Sequence, residues 1–187
     1  MKYKETIHIP PNYSLTKAII DILYDLDGLI PGVNLYKRFD RWGRRIAGRP
    51  SRWRLNRALK YLEARKKIKM VEKGGKLFIK LTRKGKLQAL MDKIERDFKR
   101  PLVWDGKWRL IMWDIPEKAS VERNRLRRFV KDLSFLQVQK SVFITPYQIP
   151  APAVEYLKES KLIRFIRFVR VDKIEDDKYF KKKYDLK

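Results

Sequence analysis

The sequence has no cysteine and a single histidine, His8. The first absence removes disulfides, thiolate nucleophiles and every cysteine-containing zinc site. One imidazole supplies neither a Ser/His/Asp machine nor a zinc cluster, so His8 reads as structural or solvated. No apolar run is long enough to span a bilayer, and the opening stretch MKYKETIHIPPNYS has no apolar core behind its lysines. Neither a membrane span nor a secretory signal is therefore expected, and the location this implies is the cytoplasm. Negative charge is the other shortage: 22 acidic side chains stand against 47 basic ones, a net +25 over 187 residues. A surplus of that size repels itself and calls for a polyanionic partner. Nucleic acid is the first candidate, because the basic residues are interleaved with Trp, Tyr and Asn on patterned segments and do not form a simple tail. Anionic membrane is the second.

What is present is enough apolar material, 44% of residues with 12% aromatic, to fill one domain or two small ones. Leu15, Ile19, Ile22, Leu23 and Leu26 recur at helical spacing behind Ser14 as N-cap, with Gly28 as a stop. Pro31-Gly32 turns the chain into a shorter, irregular helical stretch in which Val33, Leu35, Tyr36 and Phe39 face inward. A third helix is expected from about Pro50-Ser51 through Lys67, buried along Leu55, Ala58, Leu59 and Leu62. IKMVEK, Gly74-Gly75 and KLFIKL have the form of two short strands on a glycine turn, and Thr82 caps a fourth helix carrying Leu87, Leu90, Met91 and Ile94. Three helices, a two-stranded wing and a linking helix are the order of a winged helix-turn-helix.

Arg100-Pro101 breaks the helical pattern and marks the boundary, giving a first domain at 1–99 and a second at 100–187. In the second, KWRLIMWD reads as a strand, and SVERNRLRRFVKDL as a helix with Val121, Leu126, Phe129, Val130 and Leu133 on its apolar side. VQKSVFITPY is a strand or hairpin arm, Ala153–Lys158 a short helix, and LIRFIRFVRV a further strand. The order suggests a ferredoxin-like α+β domain, and the fold class overall is α+β. The basic tail from Asp172 reads as mobile or as a strand added to a partner's sheet.

The charge is concentrated. Ten basic residues lie between Lys37 and Lys60 against the single acid Asp40. In helix-turn-helix proteins the recognition helix enters the major groove while its neighbours hold phosphates. On the third helix, Trp53, Arg57 and Lys60 fall nearly opposite the leucine stripe, with Asn56 and Arg52 on one flank and Arg54 on the other, and Ser51 at the helix start is a further DNA-binding candidate. Arginine bonds guanine bidentately and asparagine bonds adenine in the same way, so Arg57 and Asn56 are the candidates for base readout. Arg44, Arg45, Arg49 and Arg52 are candidate phosphate clamps, and Lys73 and Lys76 at the wing tip reach an adjacent minor groove or backbone. Such binding needs no cofactor. A helix of this kind suits B-form DNA better than the narrow major groove of RNA.

The segment WDGKWRLIMWDIPEK, followed by a basic helix and VQKSVFITPY, resembles the central region of the PaaX-type transcriptional repressors. The sharpest part is the pairing of Trp113-Asp114-Ile115-Pro116-Glu117 with Gln139-Lys140-Ser141-Val142-Phe143. The resemblance runs from the first helix through Val171 and implies a winged helix ahead of a ferredoxin-like domain. It also implies an acyl-CoA effector, which the short C-terminal region expected of this chain argues against. The same segments are similar to the small ferredoxin-like nuclease of CRISPR adaptation. In that family's pattern two aspartates meet across a homodimer axis to hold a divalent metal, and Asp114 is the matching residue. Mg²⁺ prefers oxygen ligands and activates water without cysteine or histidine, so hydrolysis at Asp114 is chemically coherent. Its plainer role is a cap on the turn before Ile115-Pro116.

Three readings follow: a homodimeric, nucleoid-associated regulator on half-sites of double-stranded DNA, a Mg-dependent nuclease at Asp114, and an architectural protein that binds DNA with little sequence preference.

Overall fold

The computed structural model describes residues 14–27, 29–32, 35–37, 50–98 and 103–186. The chain divides into two compact units, Met1–Asp92 and Lys93–Lys187. Among the described residues no helix is long and apolar enough to cross a membrane.

The first unit opens with α1 (Leu15–Leu26), whose Ser14 side chain accepts from the Lys17 backbone N–H at 3.3 Å and so satisfies one of the free N–H groups of the first turn. Ile19, Ile22 and Leu23 are buried as the spacing predicts, and Leu15 and Leu26 pack on the edge of the same core. Leu29–Pro31 forms a short strand, β1, where the sequence suggested only a turn. Proline is tolerated there because β1 is an edge strand with one neighbour. Gly32 and Leu35–Lys37 are helical, and Leu35 is fully buried. The expected inward-facing Val33 and Phe39 and the stop at Gly28, like His8, lie outside the described residues.

Next comes α2 (Arg52–Ala64), followed by the hairpin of β2 (Ile68–Lys73) and β3 (Lys76–Leu81) and then α3 (Arg83–Phe98). The helix α2 ends three residues earlier than its sequence pattern suggests. Lys66 takes a left-handed conformation, φ 56°, and the Lys66 and Lys67 N–H groups close back on the carbonyls of Glu63 and Leu62 at 2.7 and 2.9 Å. That is a Schellman stop built without glycine. The strands form one antiparallel sheet in the order β1-β3-β2, so the wing has three strands rather than two. Leu55, Ala58, Leu59 and Leu62 of α2, Ile68 and Ile79 of the sheet, and Ala89 of α3 share one core with α1. The element order and sheet of the described residues are consistent with a winged helix-turn-helix.

Thr82 joins the wing to α3. Its hydroxyl accepts from the Gly85 N–H at 3.2 Å and lies 2.7 and 2.9 Å from the carbonyls of Lys66 and Lys67, so one side chain caps α3 and ties it to the end of α2. Lys17 of α1 reaches the buried Asp92 of α3 at 3.2 Å, and Gln88 donates to the same carboxylate.

The second unit runs β4 (Trp108–Trp113), α4 (Ser120–Asp132), β5 (Leu136–Gln139), β6 (Val142–Thr145), α5 (Ala151–Glu159), a single 3₁₀ turn (Ile163–Phe165), β7 (Ile166–Val171) and α6 (Lys178–Lys183). The sheet is antiparallel throughout in the order β5-β6-β4-β7, the ferredoxin-like arrangement that two right-handed crossovers produce. A bulge at Val138 shifts the β5–β6 register. Leu126, Phe129, Val130 and Leu133 are buried, but Val121 is 64% exposed and does not belong to their stripe. Five residues before Leu126, it lies about 140° away around the helix.

The tail after Asp172 is neither an added strand nor detached. It folds as α6, and the Tyr184 hydroxyl behind it meets three backbone groups: the Leu136 N–H at 3.1 Å and the carbonyls of Ser134 and Ile144 at 2.6 and 2.8 Å. Phe180 and Tyr184 close over the buried Trp108 ring at centroid distances of 6.1 and 6.3 Å, which gives the tail an apolar anchor that its lysines conceal in the sequence. At the start of β4, Arg109 is buried and pairs with Asp105, while also donating to the Lys107 and Pro146 carbonyls at 2.7 and 3.0 Å. The Arg109 guanidinium holds the Asp105 carboxyl well below the usual carboxylate range.

Candidate nucleic-acid interface

The N-cap of α2 is Ser51, whose hydroxyl accepts from the Arg54 N–H at 3.3 Å. The helix then buries Leu55, Ala58, Leu59 and Leu62, and that choice of inner face leaves Arg52, Trp53, Arg54, Asn56, Arg57 and Lys60 exposed together. The residues nominated on α2 therefore share one helical surface, with Ser51 at its start. Trp53 is 67% exposed, too open for a core role, and Arg57 sits over its ring at 5.4 Å. One turn on, Arg65 covers the half-exposed Tyr61 ring at 5.1 Å. Trp53, Arg57 and Tyr61 line a groove of about 380 Å³ with Leu15 and Thr16 of α1. The alternation of aromatic ring and guanidinium at four-residue spacing keeps both arginines extended along the helix, where a charge-assisted bond to phosphate or base is available at a small ordering cost.

Asn56 is placed differently from its neighbours. The Tyr36 hydroxyl donates to Asn56 Oδ1. Bidentate recognition of adenine uses that same oxygen as acceptor and the amide nitrogen as donor, so the Tyr36 bond occupies one of the oxygen's two lone pairs and restrains the amide such a contact would use. No short-range sequence pattern announces this pair, whose members are 20 residues apart.

At the wing tip, Gly74 and Gly75 both have positive φ, 56° and 66°, the type I′ turn that a two-residue hairpin favours. Lys73 and Lys76 are opposed across that turn and exposed. The nominated Arg44, Arg45 and Arg49 lie outside the described residues.

In the second unit Asp114 is exposed just past β4, with its backbone N–H donating to the Phe165 carbonyl at 3.1 Å. Among the described residues no group of three or more His, Asp or Glu side chains converges on a metal-sized site. Among the described residues one chain thus offers Asp114 alone, whereas a divalent cation takes several oxygen ligands.

A protein-family model described as the PaaX protein central Cas2-like domain matches residues 101–181. The second unit is a PaaX-type domain. The match covers β4 through the middle of α6, and both segments that carried the sequence resemblance fall within it. No curated protein matches the chain. The PaaX-type recognition and the α+β class therefore stand, with the winged-helix order lying N-terminal to the matched domain.

Proposed function

We propose that this chain is a PaaX-like, sequence-specific regulator that binds double-stranded DNA through α2 and the wing and acts as a homodimer through its Cas2-like domain. The observation that carries the reading is that Arg57 and Lys60 lie exposed opposite a fully apolar stripe on one helix, with Arg52 on the flank and Trp53 held against Arg57. A cationic surface of that size on a folded helix has an electrostatic cost which a solvated role does not offset. The match to the PaaX central Cas2-like domain supports regulation, since the family that the sequence resembles is one of transcriptional repressors. In this reading Arg57 contacts base edges, Arg52 and Arg54 hold phosphates, and Lys73 and Lys76 meet the flanking backbone. Binding requires no cofactor and no membrane. Two-fold symmetry sets the half-sites about one helical turn apart, or a multiple of it. Selection of bound duplexes from a random pool tests this: enrichment of a palindromic sequence is expected, whereas retention without enrichment contradicts sequence-specific regulation.

A further inference from the structure

The wing carries a second cationic surface that the readout helix does not use. The β2–β3 register opposes Lys69 to Lys80 and Lys73 to Lys76, with Val71 and Phe78 as the rung between them. Side chains alternate along a strand, so all six residues share one face of the sheet. The other face is settled by Ile79, which is fully buried in the core with Leu55 and Leu59 of α2. The lysine rungs therefore lie on the outer side, away from the helices, and all four lysines are exposed. Among the described residues no carboxylate pairs with any of them.

Like charges directly opposed across an antiparallel pair destabilise it, and here the arrangement occurs twice on one hairpin. The rungs are four residues apart along each strand, about 13 Å. That distance spans roughly two phosphates on one strand of a duplex, at about 7 Å each, from the ~3.4 Å rise per base pair and the path around the helix. Val71 and Phe78 between the rungs are half-buried and place apolar surface where sugar edges would lie.

We infer that the outer face of the wing binds a second segment of phosphodiester backbone, in addition to the segment met by α2. This rests on the reading of the first unit as a duplex-binding domain. Because α2 packs on the inner side of the sheet, a short straight duplex seated on α2 meets the outer face only at the Lys73/Lys76 tip and leaves the Lys69/Lys80 rung clear. Only a longer duplex that bends around the wing, or a second duplex, occupies both. The contact is independent of sequence, since it involves backbone alone.

The full chain and its Lys69→Glu and Lys80→Glu variants test this, with salt titrations on a duplex of about 12 base pairs and another of about 40, lengths near one and four helical turns. Each variant converts a repulsive rung into an opposed Glu/Lys pair, so its thermal midpoint should equal or exceed that of wild type. Against that unchanged or raised stability, the slope of log affinity on log salt should flatten by about one to two on the long duplex, at ~0.9 per phosphate contact, and remain the same on the short one. An unchanged slope on the long duplex overturns the inference. So does an equal loss on both lengths, which would place the two lysines in the α2 contact. In an Arg52→Glu/Arg57→Glu background the wing face alone should retain weak, salt-sensitive binding to the long duplex that Lys69→Glu removes. If that background binds the long duplex as tightly as wild type, the reading of α2 fails. If it retains no such binding, the wing inference fails.

Discussion

The Tyr36 hydroxyl donates to Asn56 Oδ1, joining the helical segment Leu35–Lys37 to the exposed side of α2. The bond restrains the orientation of the Asn56 amide, while Arg57 one residue later stacks on Trp53. Readout in this state leans on Arg57. Tyr36→Phe should release the amide at a stability cost of about 0.5–1.5 kcal/mol for one hydrogen bond. On a selected site, Asn56→Ala should then cost more affinity in the Tyr36→Phe background than in wild type. A double-mutant cycle read by fluorescence anisotropy checks this, and additivity within about 0.5 kcal/mol would show that the Tyr36 bond does not restrain the contact of Asn56 with DNA.

Gly85 should not tolerate a side chain. A Cβ there would lie 2.1 Å from the Lys67 carbonyl oxygen and 2.6 Å from Leu81, and the first of these is backbone that cannot step aside. Gly85→Ala is expected to destabilise the first unit by about 1–3 kcal/mol despite the higher helix propensity of alanine. Urea denaturation measures it; a neutral or stabilising effect would mean that α3 does not start against the end of α2.

The C-terminal anchor predicts a pH dependence at high pH. Burial pushes the Tyr184 phenol up to about 12 from its ordinary value near 10. The folded state then keeps the proton that the unfolded chain releases, so the contribution is complete below pH 10 and is lost as pH rises from about 10 to 12. Tyr184→Phe should lower stability at neutral pH, because the Leu136 N–H loses its acceptor, and should remove this part of the alkaline fall. Denaturation curves at pH 8, 10 and 11 compare the two proteins; parallel decline of both would exclude Tyr184 as the titrating group.

Much of the first unit was legible because its signals are local. The strands at Ile68–Lys73 and Lys76–Leu81 follow from alternation around Gly74-Gly75, and the buried stripe of α2 follows from helical spacing. The caps Ser14 and Thr82 were readable for the same reason. What the sequence concealed depends on distant partners. β1 exists because β3 offers it an edge, and Tyr36 meets Asn56 across 20 residues. The tail reads as charged, but Phe180 and Tyr184 find Trp108 only once β4 is in place. The outer lysine rungs lie between these cases. A two-residue turn fixes the pairing of Lys69 with Lys80, so register gives a signal that composition hides.

At Asp114, one exposed carboxylate with no converging acidic group among the described residues of its own chain leaves a cation short of ligands. Wild type and Asp114→Ala should leave labelled duplex equally intact in Mg²⁺ or Mn²⁺. Cutting by wild type that the substitution abolishes would establish a site completed by a second chain and would restore the nuclease reading.

The central claim is that α2 reads duplex DNA through its exposed cationic face. Gel-shift titration of Arg52→Glu/Arg57→Glu on a duplex of about 12 base pairs, one helical turn, tests it most directly, with circular dichroism to confirm that the fold persists. Both residues are exposed, so the fold should survive while affinity falls by at least about 100-fold, the loss of two charge-assisted contacts at ~1.5–3 kcal/mol each. A folded variant that binds this duplex as tightly as wild type would contradict the account.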